Sequence, residues 1–235
     1  MSPVKKSSKI WIGVIAGVVV LGAVAAVAGP YVYRDFVSGP PAAVPTVALT
    51  TNPDAPTSLD TADLSGAWKV GASSFAGYRV KEVLNGVDVT VAGRTAKVTG
   101  SFAVDKLTLT AGKVTVDVGS IATDEPARDA YFRSTALQTD TFPEATFELT
   151  GPVMATGTPK AGAAQALKAT GKLTLHGVTK TITADLQVAL NGNGGQLSGS
   201  IPITFADFGV DAPSLGFVTV EKMGSVEFLL NLEKG

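Results

Sequence analysis

The stretch Gly171-Lys172-Leu173-Thr174-Leu175-His176-Gly177-Val178-Thr179-Lys180-Thr181-Ile182-Thr183-Ala184-Asp185-Leu186-Gln187-Val188-Ala189-Leu190 decides the fold class. Leu173 and Leu175 alternate with Lys172 and Thr174. Further on, Ile182, Ala184, Leu186, Val188 and Leu190 alternate with Thr181, Thr183, Asp185 and Gln187. Successive side chains of a strand point to opposite faces, so each run has one apolar and one polar face. The two residues His176-Gly177 between the runs give a hairpin spacing. Such strands belong to an antiparallel sheet with one side wet.

The same period continues on both sides. Val87, Val89 and Val91 alternate with Asp88 and Thr90; Val98, Phe102 and Val104 share one phase; Val114, Val116 and Val118 alternate with Lys113, Thr115 and Asp117. Phe147 and Leu149 form another set, as do Ile201, Ile203 and Phe205, and the last runs through Val226, Phe228, Leu230 and Leu232. Asn85-Gly86 and Ala92-Gly93-Arg94 read as turns, and Pro202 points to an edge, a bulge or a barrel seam. One segment, Asp124 to Arg133, breaks the alternation. It reads as a short helix with Pro126 in its first turn and the preceding acid as its cap. About eight one-sided strands with one short helix must pack on themselves, as a sandwich or a closed barrel. Periodicity leaves that choice open, and equally whether the interior is filled or hollow.

Composition narrows the function. Nineteen basic residues against twenty acidic ones give a net charge of −1, so no electrostatic footprint for nucleic acid is present. The absence of cysteine excludes disulfides, thiolate metal sites and thiol nucleophiles, and a single histidine excludes any site built on two imidazoles. No cofactor or metal is expected.

Residues 10–33 carry no charge, are preceded by Lys5, Lys6 and Lys9, and are long enough to cross a bilayer as one helix. Under the positive-inside rule residues 1–9 stay in the cytoplasm and the rest of the chain is exported. The expected location is therefore the cell membrane, single-pass, with the C-terminal domain extracytoplasmic. Ala23-Val24-Ala25 and Ala26-Val27-Ala28 also fit a signal-peptide cleavage site, an alternative that keeps the export but not the anchor. Residues 34–66, with Pro40, Pro41, Pro45, Pro53 and Pro56, read as an extended linker to a domain at 67–235.

Several segments, in order across residues 67–233, resemble the YceI-like family, also called the lipid- or polyisoprenoid-binding family. They are Trp68-Lys69-Val70, Tyr78-Arg79-Val80 with Glu82, Val98 to Phe102, Val114 to Val118 and Ser120 to Asp124. Arg128-Asp129, Phe142-Pro143-Glu144-Ala145-Thr146-Phe147, Gly171 to Lys180 and Phe205 to Val210 complete the set. The resemblance implies an all-β, eight-stranded antiparallel lipocalin-like barrel with a short helix near one end. Its long apolar cavity would hold an isoprenoid or other long-chain lipid. The inward phases then nominate Phe102, Val116, Val118, Phe147, Leu149, Leu173, Leu175, Leu186, Phe205 and Phe228 as lining, with Phe132 and Phe142 near the mouth. The expected partners are that lipid, the membrane through the N-terminal helix, and a second copy of the chain as a homodimer.

The polar residues have plainer readings. His176 sits in a tight turn with no neighbouring nucleophile, so it reads as a turn residue, not as a general base. Arg128 and Asp129 serve as a helix-end pair or cap, with contact between Arg128 and a polar head group as the sharper alternative. Arg79 and Glu82 read as a structural ion pair. Asp124, Glu125 and Asp129 are solvated acids at a helix start, not a glycosidase pair. The leading function is a tethered extracytoplasmic lipid carrier. Two others stand beside it: a filled β-domain that binds an envelope partner, and, with the least support, an enzyme acting on a lipid.

Overall fold

The computed structural model describes residues 41–48, 64–160, 163–191 and 194–235. Residues 10–33, the expected membrane helix, lie outside them. Among the described residues no helix is long and apolar enough to cross a membrane.

Eleven strands are present among the described residues: β1 (Gly66–Val70), β2 (Phe75–Leu84), β3 (Val87–Thr95), β4 (Val98–Asp105), β5 (Thr108–Asp117), β6 (Glu144–Leu149), β7 (Val153–Met154), β8 (Ala164–Leu175), β9 (Val178–Asn191), β10 (Gly194–Thr204) and β11 (Val218–Lys234). Helix α1 spans Pro126–Tyr131. The strands β1, β4, β5, β6, β8, β9, β10 and β11 pair in that order, and β11 returns to β1, with Trp68 opposite Lys234 and Val70 opposite Leu232. The sheet is therefore a closed eight-stranded antiparallel barrel, which answers the choice between barrel and sandwich. β1 and β2 lie end to end along β11, and β3 and β4 likewise form one bent strand.

The decisive hairpin is present as read. Leu175 pairs with Val178 across His176-Gly177, and both turn residues have positive φ, 50° and 72°, as a type I′ turn requires. Asn85-Gly86 repeats the device, at 47° and 82°, between β2 and β3. Ala92-Gly93-Arg94 is a correction: these residues lie inside β3, and the chain bends after Thr95 instead. The glycine there answers to packing, because a Cβ at Gly93 would stand 2.5 Å from the Tyr78 ring.

The wall is interrupted at both ends: at the end where β11 closes on β1, called the closed end, β7 pairs only with β5 and β8 meets β6 only from Gly171 to Thr174, and the opposite end is split twice. β3 has no strand partner beyond β2, and Ala122 meets its free edge through paired hydrogen bonds with Arg94 of 3.0 and 3.1 Å. α1 follows directly and covers this split. On the opposite side, β9 and β10 pair only as far as Asp185 and Ser200. Pro202 lies just past that point and remains paired only with β11, which is the edge position its missing N–H demands. A 3₁₀ turn at Phe205–Phe208 occupies the gap. Phe208 is buried, and its carbonyl lies 3.2 Å from His176 Nδ1.

Part of the expected free linker belongs to the barrel. Leu64 is buried in the core and accepts a hydrogen bond from Trp68 Nε1 of 2.9 Å. Residues 41–48 form an extended strap on the outer wall. The Ala42 carbonyl accepts from Arg79 Nη2 at 2.5 Å, the Ala43 carbonyl from Arg94, and Ala48 N donates to Gln196 Oε1 at 2.6 Å. Pro45 and Val47 are buried by this contact.

Candidate ligand cavity

Inward-facing residues of every barrel strand meet in one apolar core, but they do not fill it. Three chambers lie in a row. The mouth chamber, about 160 Å³, lies under α1, between Tyr78, Phe132, Val118, Leu175 and Phe205. The middle chamber, about 90 Å³, is lined by Phe102, Val114, Phe147, Leu173, Leu186 and Phe228 among others. The closed-end chamber, about 130 Å³, lies above Leu64 and Trp68 and is bounded by Val153 and Leu232. Val116 and Val226 stand between the first and second chambers, and Phe102 and Leu186 between the second and third. For scale, an apolar cavity of about 150 Å³ stays dry and takes a benzene ring.

Glycines make room for the rings. Phe228 pairs directly with Gly199, where a Cβ would stand 2.5 Å from the ring. Phe102 pairs with Gly112, and a Cβ at Gly224 would come within 2.7 Å of Phe205. Each ring lies along the wall over a bare backbone instead of across the bore, as aromatic side chains do when they cover strand glycines.

The structure places eleven of the twelve expected lining residues on these chambers: Val118, Phe132, Leu175 and Phe205 at the mouth; Val116 between mouth and middle; Phe147, Leu149, Leu173 and Phe228 in the middle; Phe102 and Leu186 between middle and closed end. Phe142 stands beside the mouth and not on a chamber wall: its ring meets the His176 ring edge-on at 4.8 Å and lies over Gly177, in the hairpin that follows the mouth-lining Leu175. The proline after it and the tight turn beside it hold the ring on the hairpin, not over the bore.

Ion-paired side chains line the mouth, while Lys106 and Gln165 are the polar residues at the closed-end chamber. Arg128 Nη2 is 3.2 Å from Glu82 Oε1 and its Nη1 is 3.0 Å from Asp124 Oδ1. Asp129 Oδ1 accepts from Thr123 N at 2.9 Å and from Thr123 Oγ1 at 2.8 Å, which ties α1 to the irregular segment that leads into it. Glu125 caps the helix by accepting from Ala127 N at 3.1 Å. Tyr78 stacks on Phe132. Burial holds its hydroxyl well above the ordinary tyrosine value of 10.0; Asp129, Glu82 and Asp124 push the same way, and Arg128 opposes them. The expected Arg79–Glu82 pair is not formed. Adjacent odd and even residues of β2 face opposite sides, so Arg79 points outward to Glu227 at 2.6 Å and Glu82 inward to Arg128.

Sequence reasoning passed over Tyr78, Glu82 and Trp68 as site residues. Their signal was position: Tyr78 and Glu82 share the inward phase of β2 with Ala76 and Val80, all four lining the mouth chamber. His176 Nε2 is buried without a hydrogen-bond partner among the described residues. His176 stands between Phe142 and Phe208 with no hydroxyl or carboxylate bonded to it, a position suited to holding the hairpin against the 3₁₀ turn. Among the described residues no group of three His, Asp or Glu side chains is placed to hold a metal ion.

A closed antiparallel barrel with a dry, chambered interior and a helix over its open end is the build of a small-ligand container. More particularly, the chain belongs to the YceI-like domain family, which matches residues 68–232. It is 34% identical over 174 residues to a UPF0312 protein of Pseudomonas paraeruginosa, covering 70% of this chain and 83% of that one. A UPF0312 protein of Vibrio parahaemolyticus is 35% identical over 135 residues, 54% of this chain and 67% of the relative. Two solved structures share the fold. One is a polyisoprenoid binding domain from Saccharophagus degradans implicated in plant cell wall breakdown (20% identical, TM-score 0.57, covering 72% of this chain and 98% of that one). The other is Burkholderia cenocepacia BcnA (22% identical, TM-score 0.52, covering 66% and 95%).

Proposed function

We propose that this protein is a membrane-tethered extracytoplasmic carrier that holds an isoprenoid chain along the barrel axis, head group at the mouth. The observation that carries the reading is the row of three mainly apolar chambers with shared walls and an ion pair, Arg128–Glu82, under α1. A binding domain needs no catalytic set, and the mouth supplies contacts for a head group rather than a nucleophile and base.

The chambers bound the ligand. The two end chambers, about 160 and 130 Å³, are near the size that takes a six-carbon ring, and the middle one, about 90 Å³, is smaller, so the row accommodates about three isoprene units with some widening at the middle. At about 0.8 kcal/mol per buried CH₂, three units contribute roughly 12 kcal/mol. That is comparable with the ~4–15 kcal/mol lost on association, so a chain of this length binds measurably and still exchanges. A longer chain must leave its first units in the mouth or displace α1. The charges there select the head. Arg128 already faces two carboxylates, and Asp211 also lines the chamber, so an added diphosphate meets net negative charge. An uncharged oxygen-bearing head, such as an alcohol or a quinone, fits that setting. The uncharged run at 10–33 supports the tethered part of the reading, and the fold shared with the Saccharophagus degradans polyisoprenoid binding domain supports the lipid-holding part.

Equilibrium binding of a labelled fifteen-carbon isoprenoid alcohol and of its diphosphate to the full chain tests this. The alcohol is expected to bind the more tightly. Tighter binding of the diphosphate would overturn the head-group assignment, and no uptake of either would overturn the carrier.

A further inference from the structure

We infer that the barrel docks mouth-first on a lipid bilayer, with the loop at residues 214–217 and the bulge at Met223 as its contact surface. The inference rests on the tethered reading for its orientation and on the rim itself for its contact.

Among the described residues six large hydrophobic side chains are exposed, and four of them lie together at the open end: Val83, Leu215 (54%), Phe217 (57%) and Met223 (55%). The hydrogen-bond register brings them there. Val83 pairs with Thr219, and Asn85 N donates to the Phe217 carbonyl at 2.7 Å. Leu215 N donates to Val218 O at 2.9 Å, and Met223 stands in the bulge where β11 shifts register between Val220 and Gly224. Ala212, Pro213 and Val220, immediately beside them, line the mouth chamber. The apolar rim is thus continuous with the apolar bore. Lys81 and Lys222 are exposed close by, but so are Glu221 and Asp88, so contact here depends on apolar burial and not on an anionic surface.

The strap sets the direction of approach. Residues 42 and 43 contact Arg79 and Arg94, beside the lining residues Tyr78 and Gly77 of the mouth chamber. Ala48 contacts Gln196, which pairs with Asn231 and Ala189 toward the closed end. The chain therefore runs down the wall from mouth to closed end before β1 begins. Whatever precedes residue 41 reaches the mouth half first. Seven residues lie between Tyr33, the end of the uncharged run, and Pro41, eight chain steps that span at most about 28 Å. A twelve-residue strand such as β8 is itself about 40 Å long. A tether that short favours the open end at the bilayer and keeps the closed end away from it.

The chain contains no cysteine, so single labels can be introduced without background. Full-length Phe217→Cys and Met154→Cys variants, each carrying an environment-sensitive fluorophore, are reconstituted into uncharged phosphatidylcholine vesicles containing a nitroxide-labelled lipid. Met154 is 72% exposed and pairs with Thr108, at the closed end. The inference predicts strong loss of emission at 217 and none at 154, unchanged by added salt. An unquenched label at 217, or equal quenching at both, overturns it. Washing the same vesicles with alkali reads the tether separately. A chain that is retained while its 217 label stays bright overturns the docking alone. A chain that washes off but was quenched at 217 while bound overturns the tether alone.

Discussion

Tyr78 of the barrel wall and Phe132, which begins the π-helical turn after α1, stack face to face with ring centroids 4.9 Å apart and planes 14° from parallel. This pair fastens the helix to the wall beside the free edge of β3, one of the splits at the mouth. The cover over the mouth is thus held by one ring stack and the Arg128–Glu82 ion pair, not by a strand ladder.

Removing one ring loosens the cover. A stacked aromatic pair contributes about 0.5–1.5 kcal/mol beyond its burial. Phe132→Ala is therefore expected to speed ligand release by up to roughly tenfold, since 1.4 kcal/mol is a factor of ten. The barrel itself should keep its far-ultraviolet circular dichroism. Stopped-flow displacement of a fluorescent isoprenoid reads the rate.

The same tyrosine gives a pH dependence. Its folded-state proton is held more tightly than the ordinary value of 10.0. Tyr78 in the unfolded chain ionises near pH 10 and in the folded chain only above that. Its contribution to stability is complete below pH 10 and is lost as pH rises further, with a slope of up to about 1.4 kcal/mol per pH unit. Tyr78→Phe should flatten the alkaline limb of a denaturation series between pH 9 and 11.5 and leave stability at pH 7 nearly unchanged.

The strap covers a charge pair. Glu227 is 3% exposed and accepts from Arg79 Nε at 2.6 Å and from Nη2 at 3.1 Å. Removing one partner of a buried pair typically costs about 3–5 kcal/mol, whereas replacing both with apolar residues is often close to neutral. Glu227→Ala should therefore lower the thermal midpoint far more than the double change Arg79→Met with Glu227→Leu, measured by calorimetry on the full chain.

Much of this was legible in the sequence. The inward phases of β5, β6, β8 and β9 follow directly from period two, and the His176-Gly177 and Asn85-Gly86 turns from their residue types. α1 was legible from Pro126 and its acidic cap. Three features were not. The splits at the mouth follow from where pairing stops, at Ser200 and Val98, and no local pattern records that. The Glu82–Arg128 pair joins residues 46 apart in sequence through the closure of the barrel. The strap at 41–48 carries prolines and no periodicity, so composition alone reads it as linker; its docking depends on Arg79, Arg94 and Gln196 in distant strands.

The bore narrows at the middle chamber, and Ala184 is almost completely buried in its wall. Ala184→Leu adds three carbons there, at a cost of about 1–3 kcal/mol to stability. A five-carbon alcohol should still bind in the mouth, while affinity for a fifteen-carbon chain falls at least about tenfold, as competition binding would show.

The central claim is that one hydrocarbon chain threads all three chambers. Native mass spectrometry of the full-length protein purified from the cells that make it tests this most directly, with Ala184→Leu beside the unaltered chain. The account predicts one isoprenoid per barrel in the unaltered protein and its loss, or replacement by a shorter one, in the variant. A barrel that carries no lipid, or a variant that carries the same lipid at the same occupancy, would contradict it.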